Sequence, residues 1–492
     1  MIVSCDGMRQ AEEAAFSRGV KAADLMERAG LGIAEIVRQF HRHPGLGIVF
    51  CGKGHNAGDA LVAARHLKKW GWEIDLRLTF PESALSPLTA KNLAEFRKVI
   101  PQSAIPDPKS KIVLDGLLGL GAKGEPRGEI ADAIRAINHL RRENAAWVLA
   151  IDLPSGLDGD TGQPSSCCVE ADLTATIACA KTGLVADEAT DFVGRLAVVP
   201  LPELPFSAGG AFHLATPALL RPWLPPRRFD MHKGNAGRVG IIAGSPGFLG
   251  AARLCSAAAV HAGAGLVTVF ARPDIAGRLA ATCLPEVMVK SVASYRDVLN
   301  ENLDSLAIGP GLGQSQASEI LALIRDATRP LVIDADALNV LSRDLNVLKH
   351  GRGPRLLTPH PGEMERLTAA IGRPRRQWGE DFLARFPVTL LLKGARTLTG
   401  SGGQFYYNTT GNPGMASGGM GDALTGVCAA LIPQVEGEGQ ERLLRSAVLG
   451  AWLCGRAGEL GVFCPDASPE SLSASTVIAR LGGAFRALRE EA

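Results

Sequence analysis

The chain has almost no charge of one sign: 52 lysines and arginines against 50 aspartates and glutamates leave a formal net charge of +2 over 492 residues. Non-specific binding to nucleic acid or to an anionic membrane surface usually needs a broad basic field, so neither partner is expected. Long apolar runs are missing too. No stretch reaches the ~18–20 uninterrupted apolar residues of a membrane helix. The amino terminus, MIVSCDGMRQAEEAAF, is broken by Asp6, Arg9, Glu12 and Glu13, so it lacks the apolar core of a secretory signal. The ten cysteines contain no C-x-x-C, only the adjacent Cys167 and Cys168, and several lie in apolar runs such as IVFCG, ATIACA and ALTGVCAAL. They read as buried, reduced thiols of a soluble cytoplasmic protein, which excludes a disulfide framework and a thiolate-bound zinc.

Glycine is what the chain has in excess. Fifty-seven glycines and 30 prolines compare with about 59 of the two together at average usage, and the whole surplus is glycine. There is no Gly-X-Y period, and 46% of residues are hydrophobic, so collagen and disordered linker are both excluded. Special backbone geometry at loops is the remaining explanation.

At ~100–200 residues per domain, 492 residues predict two to four domains. Pro202, Pro205, Pro217, Pro222, Pro225 and Pro226 crowd one segment, a linker or wrapping arm. On both sides of it short apolar runs alternate with helical patterns: GIVFCG, EIDLRLTF, KIVLDGLLG, WVLAIDLPSG and DLTATIAC before, VGIIAG, LVTVFA, SLAIGPG, PLVIDADA and TLLLKG after. That alternation predicts parallel sheets covered by helices, hence two consecutive α/β domains, 1–207 and 214–492. Ligands of such sheets bind at the carboxyl ends of the strands, and there the glycines lie.

In the first domain three such junctions carry polar residues. They are CGKGHNAGD (51–59), LDGLLGLGAKGEPRGE with Asp115 closing a strand, and AIDLPSGLDGDTG with Asp152 and Ser155. Glycines let backbone N–H groups approach a phosphate, and a following helix adds its positive end. The plainer readings are a helix cap at Asp59 and a cap by Asp152 for the Pro-Ser-Gly turn. Asn56, Asp115 and Ser155 offer only oxygen, which suits a hard cation and not zinc. In the second domain GRVGIIAGSPGFLGAARL (237–254) is strand, glycine turn and helix. TGNPGMASGGMGDALTGV (410–427) places five glycines before Asp422 and a helix after it. Bare N–H groups there form an anion hole, and an aspartate beside it can take a proton from a hydroxyl attacking phosphorus. The plainer reading is again a helix cap.

These motifs carry a family resemblance. The glycine loop, the Asp-led loop and D-x-P-S-G, in that order, resemble the NAD(P)H-hydrate epimerase domain. HKGNAGRVGIIAGS, GAGLVTV, IGPGLG, VIDADALN, LTPHPGEMERL, LLKGART and NPGMASGGMGD resemble the ADP-dependent NAD(P)H-hydrate dehydratase of the ribokinase-like superfamily. The resemblance implies a Rossmann-like three-layer α/β/α sandwich followed by a ribokinase-like α/β/α domain. It implies a bifunctional nicotinamide-nucleotide repair enzyme that interconverts the R and S hydrates of NADH and NADPH and dehydrates the S form with ADP, giving AMP and phosphate.

Carried over, Asp152 is the catalytic acid/base of the first domain and contacts substrate, moving a proton to and from the reduced ring while the C6 hydroxyl leaves and returns. His55, Asn56, Ala57, Gly58 and Asp59, with Gly119, Leu120, Gly121, Ala122, Lys123, Gly124 and Glu125, hold the hydrate, while Asn56, Asp115 and Ser155 ligate K⁺. In the second domain Asp422 is the general base and a substrate contact. Ala251, Gly311 and His360 meet the hydrate, and Lys393, Gly394, Ala395, Arg396, Thr397 and Gly421 meet AMP or ADP. Asp334 and Asp336 read either as structural or as helping to place Mg²⁺ near phosphate. A homo-oligomer is expected. His55 and Ala57 depart from the motif's Asn and Gly, so a first domain that binds without catalysis stays open, as does a ribokinase-like vitamin kinase.

Overall fold

The computed structural model describes residues 1–100, 111–122, 124–206, 209–463 and 466–490. The chain divides into two compact units, Met1–Gly210 and Ala211–Ala492.

The core of the first unit is a six-stranded sheet, ordered Glu73–Leu78, Leu46–Cys51, Lys111–Gly116, Trp147–Ile151, Leu173–Ile177, Arg195–Val199, with every pairing parallel. The strands read as apolar runs because both faces are covered. One side packs Ile33, Val37, Leu61 and Leu67 from helices Ala22–Phe40 and His55–Lys69. The other packs Ile134 and Ile137 of helix Gly128–Asn144. The chain leaves Leu46–Cys51 toward one edge of the sheet and returns to Lys111–Gly116 on its other side. The two loops that leave these neighbouring strands diverge there and open a crevice. A separate pair, Ile2–Val3 with Ala180–Lys181, ties the amino terminus down.

The second unit is built on a ten-stranded sheet. Seven strands from Val287–Ser291 to Thr389–Leu392 are parallel, and the reversal of order falls between Arg238–Ile242 and Ser305–Ile308. The sheet is not wholly parallel as the alternation predicts. Leu398–Ser401 runs antiparallel to both neighbours, because only a five-residue turn separates it from Thr389–Leu392. A parallel return needs a crossover of a dozen or more residues. Part of the proline-rich segment is also no linker: Phe212–Ala215 forms the edge strand beside Gln404–Asn408.

Helices Leu249–His261 and Met420–Leu431 cross where Gly426 has no side chain, and a methyl group there would collide with the Cys255 carbonyl. Gly426→Val is expected to lower the second unit's stability by about 3 kcal/mol, the upper end for overpacking, read as a fall in Tm, because the added carbon meets backbone and not a flexible side chain. An unchanged Tm would mean that the crossing is loose.

Among the described residues no helix is long and apolar enough to cross a membrane, and the nine described cysteines are free thiols.

Candidate active sites

At the order reversal of the first unit lies a cavity of about 620 Å³. His55, Asn56 and Asp59 line it from one helix, Leu117–Ala122 from the Asp-led loop, Asp152 from a strand end, and Met8, Arg9 and Glu12 from helix Cys5–Ser17. Asp152 has φ +66°, in the left-handed region that residues other than glycine rarely adopt. Its Oδ1 accepts from the Ile177 N–H at 3.0 Å and from the Lys181 ammonium. Lys181 is wholly buried and also donates to Thr176 Oγ1 and the Ile177 carbonyl.

The Pro-Ser-Gly turn is capped by Asp115, whose Oδ2 accepts from Ser155 N at 2.8 Å, so the reading of Asp152 as that turn's cap is corrected. The reading of Asp59 as a helix cap is corrected as well. The helix starts at His55 with Gly54 as its cap, which puts Asp59 in the second turn. Burial, then Asp152 and Glu12, push the Asp59 carboxyl well above the usual carboxylate range against the pull of Lys181. Glu12 is raised by burial and by Asp152.

Asn56 and Ser155 meet at the backbone of Leu118, where Ser155 Oγ accepts from Leu118 N at 3.0 Å and Asn56 Nδ2 donates to Leu118 O at 2.7 Å, and Ser155 Oγ donates in turn to Asp115 Oδ1 at 2.7 Å. Asp115 is fully buried, takes only Ser155 and Leu117 as hydrogen-bond partners among the described residues, and burial pushes its pKa up to about 6. A buried carboxylate without a cationic side chain fits a bound cation, and the donors are all oxygen, as K⁺ requires.

Of the other residues the resemblance assigns here, Ala57 is buried in the core cluster, on a helical backbone that tolerates its methyl group, and neither it nor Gly58 lines the cavity. Gly124 and Glu125 are exposed, with Glu125 accepting from Ser166, and Lys123 lies outside the described residues.

In the second unit, Gly419 starts helix Met420–Leu431 with φ +85°, a conformation that favours glycine. No side chain caps this helix, so the cap reading of Asp422 is corrected. Burial and Asp334 raise the Asp422 pKa to about 6 against the pull of Lys393. A methyl group at Gly421 would stand 3.2 Å from Lys393 Nζ and 3.6 Å from Asp334 Oδ2, so the helix start, the ammonium and both aspartates share one place. Asp334 is spent on its neighbours: Oδ1 takes Lys393 Nζ and Oδ2 takes Thr425 Oγ1, each at 2.8 Å. Asp336 accepts from Gly313 N at 2.9 Å. Both oxygens of Asp334 are thus engaged, and the described residues hold no group of three His, Cys, Asp or Glu side chains placed for a metal ion.

His360 caps helix Pro361–Thr368 through Nδ1, and its N–H donates to Glu363, which lies 3.7 Å from Lys393. Gly311 is close enough to Ala251 that a methyl group at 311 would stand 2.9 Å from its side chain. The turn 393–397 joins two strands, with Ala395 exposed and Arg396 buried.

The family model described as NAD(P)H-hydrate dehydratase matches residues 239–472, and the one described as YjeF-related protein N-terminus matches residues 22–183. The bifunctional NAD(P)H-hydrate repair enzyme Nnr of Moorella thermoacetica is 38% identical over 473 residues, covering 88% of this chain and 87% of that protein. The chain belongs to the bifunctional NAD(P)H-hydrate repair enzyme family. The enzyme of that name from Escherichia coli K12 is 36% identical over 445 residues, 87% of this chain and 84% of its own. A crystal structure of the ADP/ATP-dependent NAD(P)H-hydrate dehydratase of Bacillus subtilis, co-crystallised with ATP/Mg²⁺, is 26% identical with a TM-score of 0.48, covering 56% of this chain and 98% of that one.

Sequence reasoning about this repair-enzyme chain missed Lys181, Glu12 and the wall supplied by helix Cys5–Ser17. Lys181 left a signal: a lysine closing the apolar run ATIACAK has to find an anion. Glu12 left none, since a carboxylate on an amphipathic helix is ordinarily solvated.

Proposed function

We propose that this chain epimerises the C6 hydrates of NADH and NADPH in its first unit and dehydrates the S hydrate in its second, with ADP as co-substrate. The observation that supports this best is the pairing of two built sites in one family member, each with an aspartate at the reacting position. In the first, Lys181 and the Ile177 N–H hold one oxygen of Asp152, leaving the other to move a proton at the substrate's C6 oxygen. K⁺, when bound by Asn56, Asp115 and Ser155, would supply fixed positive charge beside the Asp-led loop. In the second, Asp422 takes the proton from the C6 hydroxyl as its oxygen attacks the terminal phosphorus of ADP, and AMP leaves. The helix start at Gly419–Asp422 and Lys393 face the transferred phosphoryl group. Phosphate is then a good leaving group, the ring nitrogen lone pair drives its expulsion, and loss of the C5 proton restores the dihydronicotinamide.

The test is NAD(P)H regeneration from mixed epimers with ADP. Conversion beyond the S fraction, faster than spontaneous epimerisation, reports both sites. Arrest at the S fraction removes the epimerase, and a phosphorylated product that accumulates in place of AMP, phosphate and restored absorbance favours a kinase. For the cation, a K⁺ series is expected to raise the Tm of the wild type and to leave that of Asn56→Ala unmoved. Equal shifts in both would place K⁺ elsewhere.

A further inference from the structure

Epimerisation at C6 breaks one C–O bond and makes another on the opposite face, so it needs a proton donor for the leaving oxygen and an acceptor for the entering water. Asp152 already faces two donors, a buried ammonium and a backbone N–H, both on Oδ1, so its place in the site is that of an acceptor. The cavity holds a second buried carboxyl from a different element. Asp59 is 8% exposed and lines the cavity, and among the described residues no ion pair or hydrogen bond engages its side chain.

We propose that Asp59 is the general acid of the epimerase and works with Asp152 as a two-carboxyl pair; this rests on the epimerase reading above. The Asp59 carboxyl gives its proton to the C6 hydroxyl. The C6–O bond breaks, water departs, and the N1 lone pair forms a C6=N1 iminium. A water on the other face attacks C6, the electron pair returns to N1, and the Asp152 carboxylate takes the proton that water loses. Hydrate and water enter, the other hydrate and water leave, and one proton has passed from Asp59 to Asp152. Solvent exchange, or a turnover in the reverse direction, resets the pair.

The surroundings of Asp59 agree. Glu12 from helix Cys5–Ser17 and Asp152 from the strand end face it and favour its neutral form, with Lys181 the opposing charge, while Arg9, Lys53 and His55 line the same cavity. A carboxyl raised in this way keeps its proton to higher pH than an ordinary carboxylic acid and loses it as pH rises, so the rate should fall on the alkaline side.

The experiment uses the full chain without nucleotide, so that dehydration is silent, and follows pure R hydrate by epimer ratio. Asp59→Asn should lower kcat by about 10²–10⁴-fold, remove the alkaline limb, and leave KM and Tm near their wild-type values. Asp59→Glu should restore the limb, and Glu12→Gln should keep it. An Asp59→Asn variant that keeps kcat and the alkaline limb, or raises only KM, makes Asp59 a contact and overturns the proposal. So does loss of the limb in Glu12→Gln in place of Asp59→Asn. A wild type no faster than the spontaneous rate overturns the epimerase reading itself, an outcome distinct from a fast wild type with an unaffected Asp59→Asn.

Discussion

Asp422→Asn is expected to lower nucleotide-dependent dehydration of the S hydrate by about 10²–10⁴-fold, the usual contribution of a general base. The amide keeps the size of the side chain and removes the proton acceptor. The wild-type pH profile should carry the same signature. Burial, together with repulsion from Asp334 and Asp336 that outweighs the attraction of Lys393, puts the pKa at about 6. The base form is therefore lost as pH falls through about 6, so kcat should drop about tenfold per unit below it and stay level above it. The Asn variant's residual rate should lack this limb. The assay is recovery of dihydronicotinamide absorbance from the S hydrate with ADP, and an Asn variant within a few-fold of wild type would remove Asp422 from the chemistry. The first unit of that variant should still epimerise, because its cavity is built wholly from residues before Gly210.

Lys181→Met is expected to damage the first unit most. The ammonium is fully buried and Asp152 is 6% exposed, so the variant strands a carboxylate in the interior. Removing one partner of a buried pair costs about 3–5 kcal/mol, more than the pair is worth against an apolar replacement of both. The double variant Lys181→Met/Asp152→Asn should recover much of the lost stability without activity. Thermal unfolding of the single and double variants checks this, and additive losses in the double variant would show that the two side chains do not depend on each other.

The fold was readable wherever an apolar run ended in a polar or glycine-rich loop. WVLAIDLPSG became strand Trp147–Ile151 with Asp152 at its end, and Met420–Leu431 starts where the glycines of 410–421 stop. The antiparallel Leu398–Ser401 was not readable, since strand direction depends on the length of the returning chain and not on the run itself. Nor was Phe212–Ala215, which looks like linker until Gln404–Asn408 offers it a partner.

The site shows the same division. Composition and local motif determined that this chain has two α/β units, that its surplus glycine belongs to strand-end loops, and that Asp152 and Asp422 stand at two of them. Those properties depend on neighbours in sequence: glycine's freedom at φ, the period of the apolar pattern and the cap of a helix. Only the tertiary structure decided which charges share a cavity. It set Lys181 against Asp152 from 29 residues away, turned Asp115 toward Ser155 and buried Asp59 in the cavity wall. The physical reason is the short reach of these interactions. A carboxyl's ionisation is set by burial and by charges within a few ångströms, and packing assembles that shell from elements far apart in the chain.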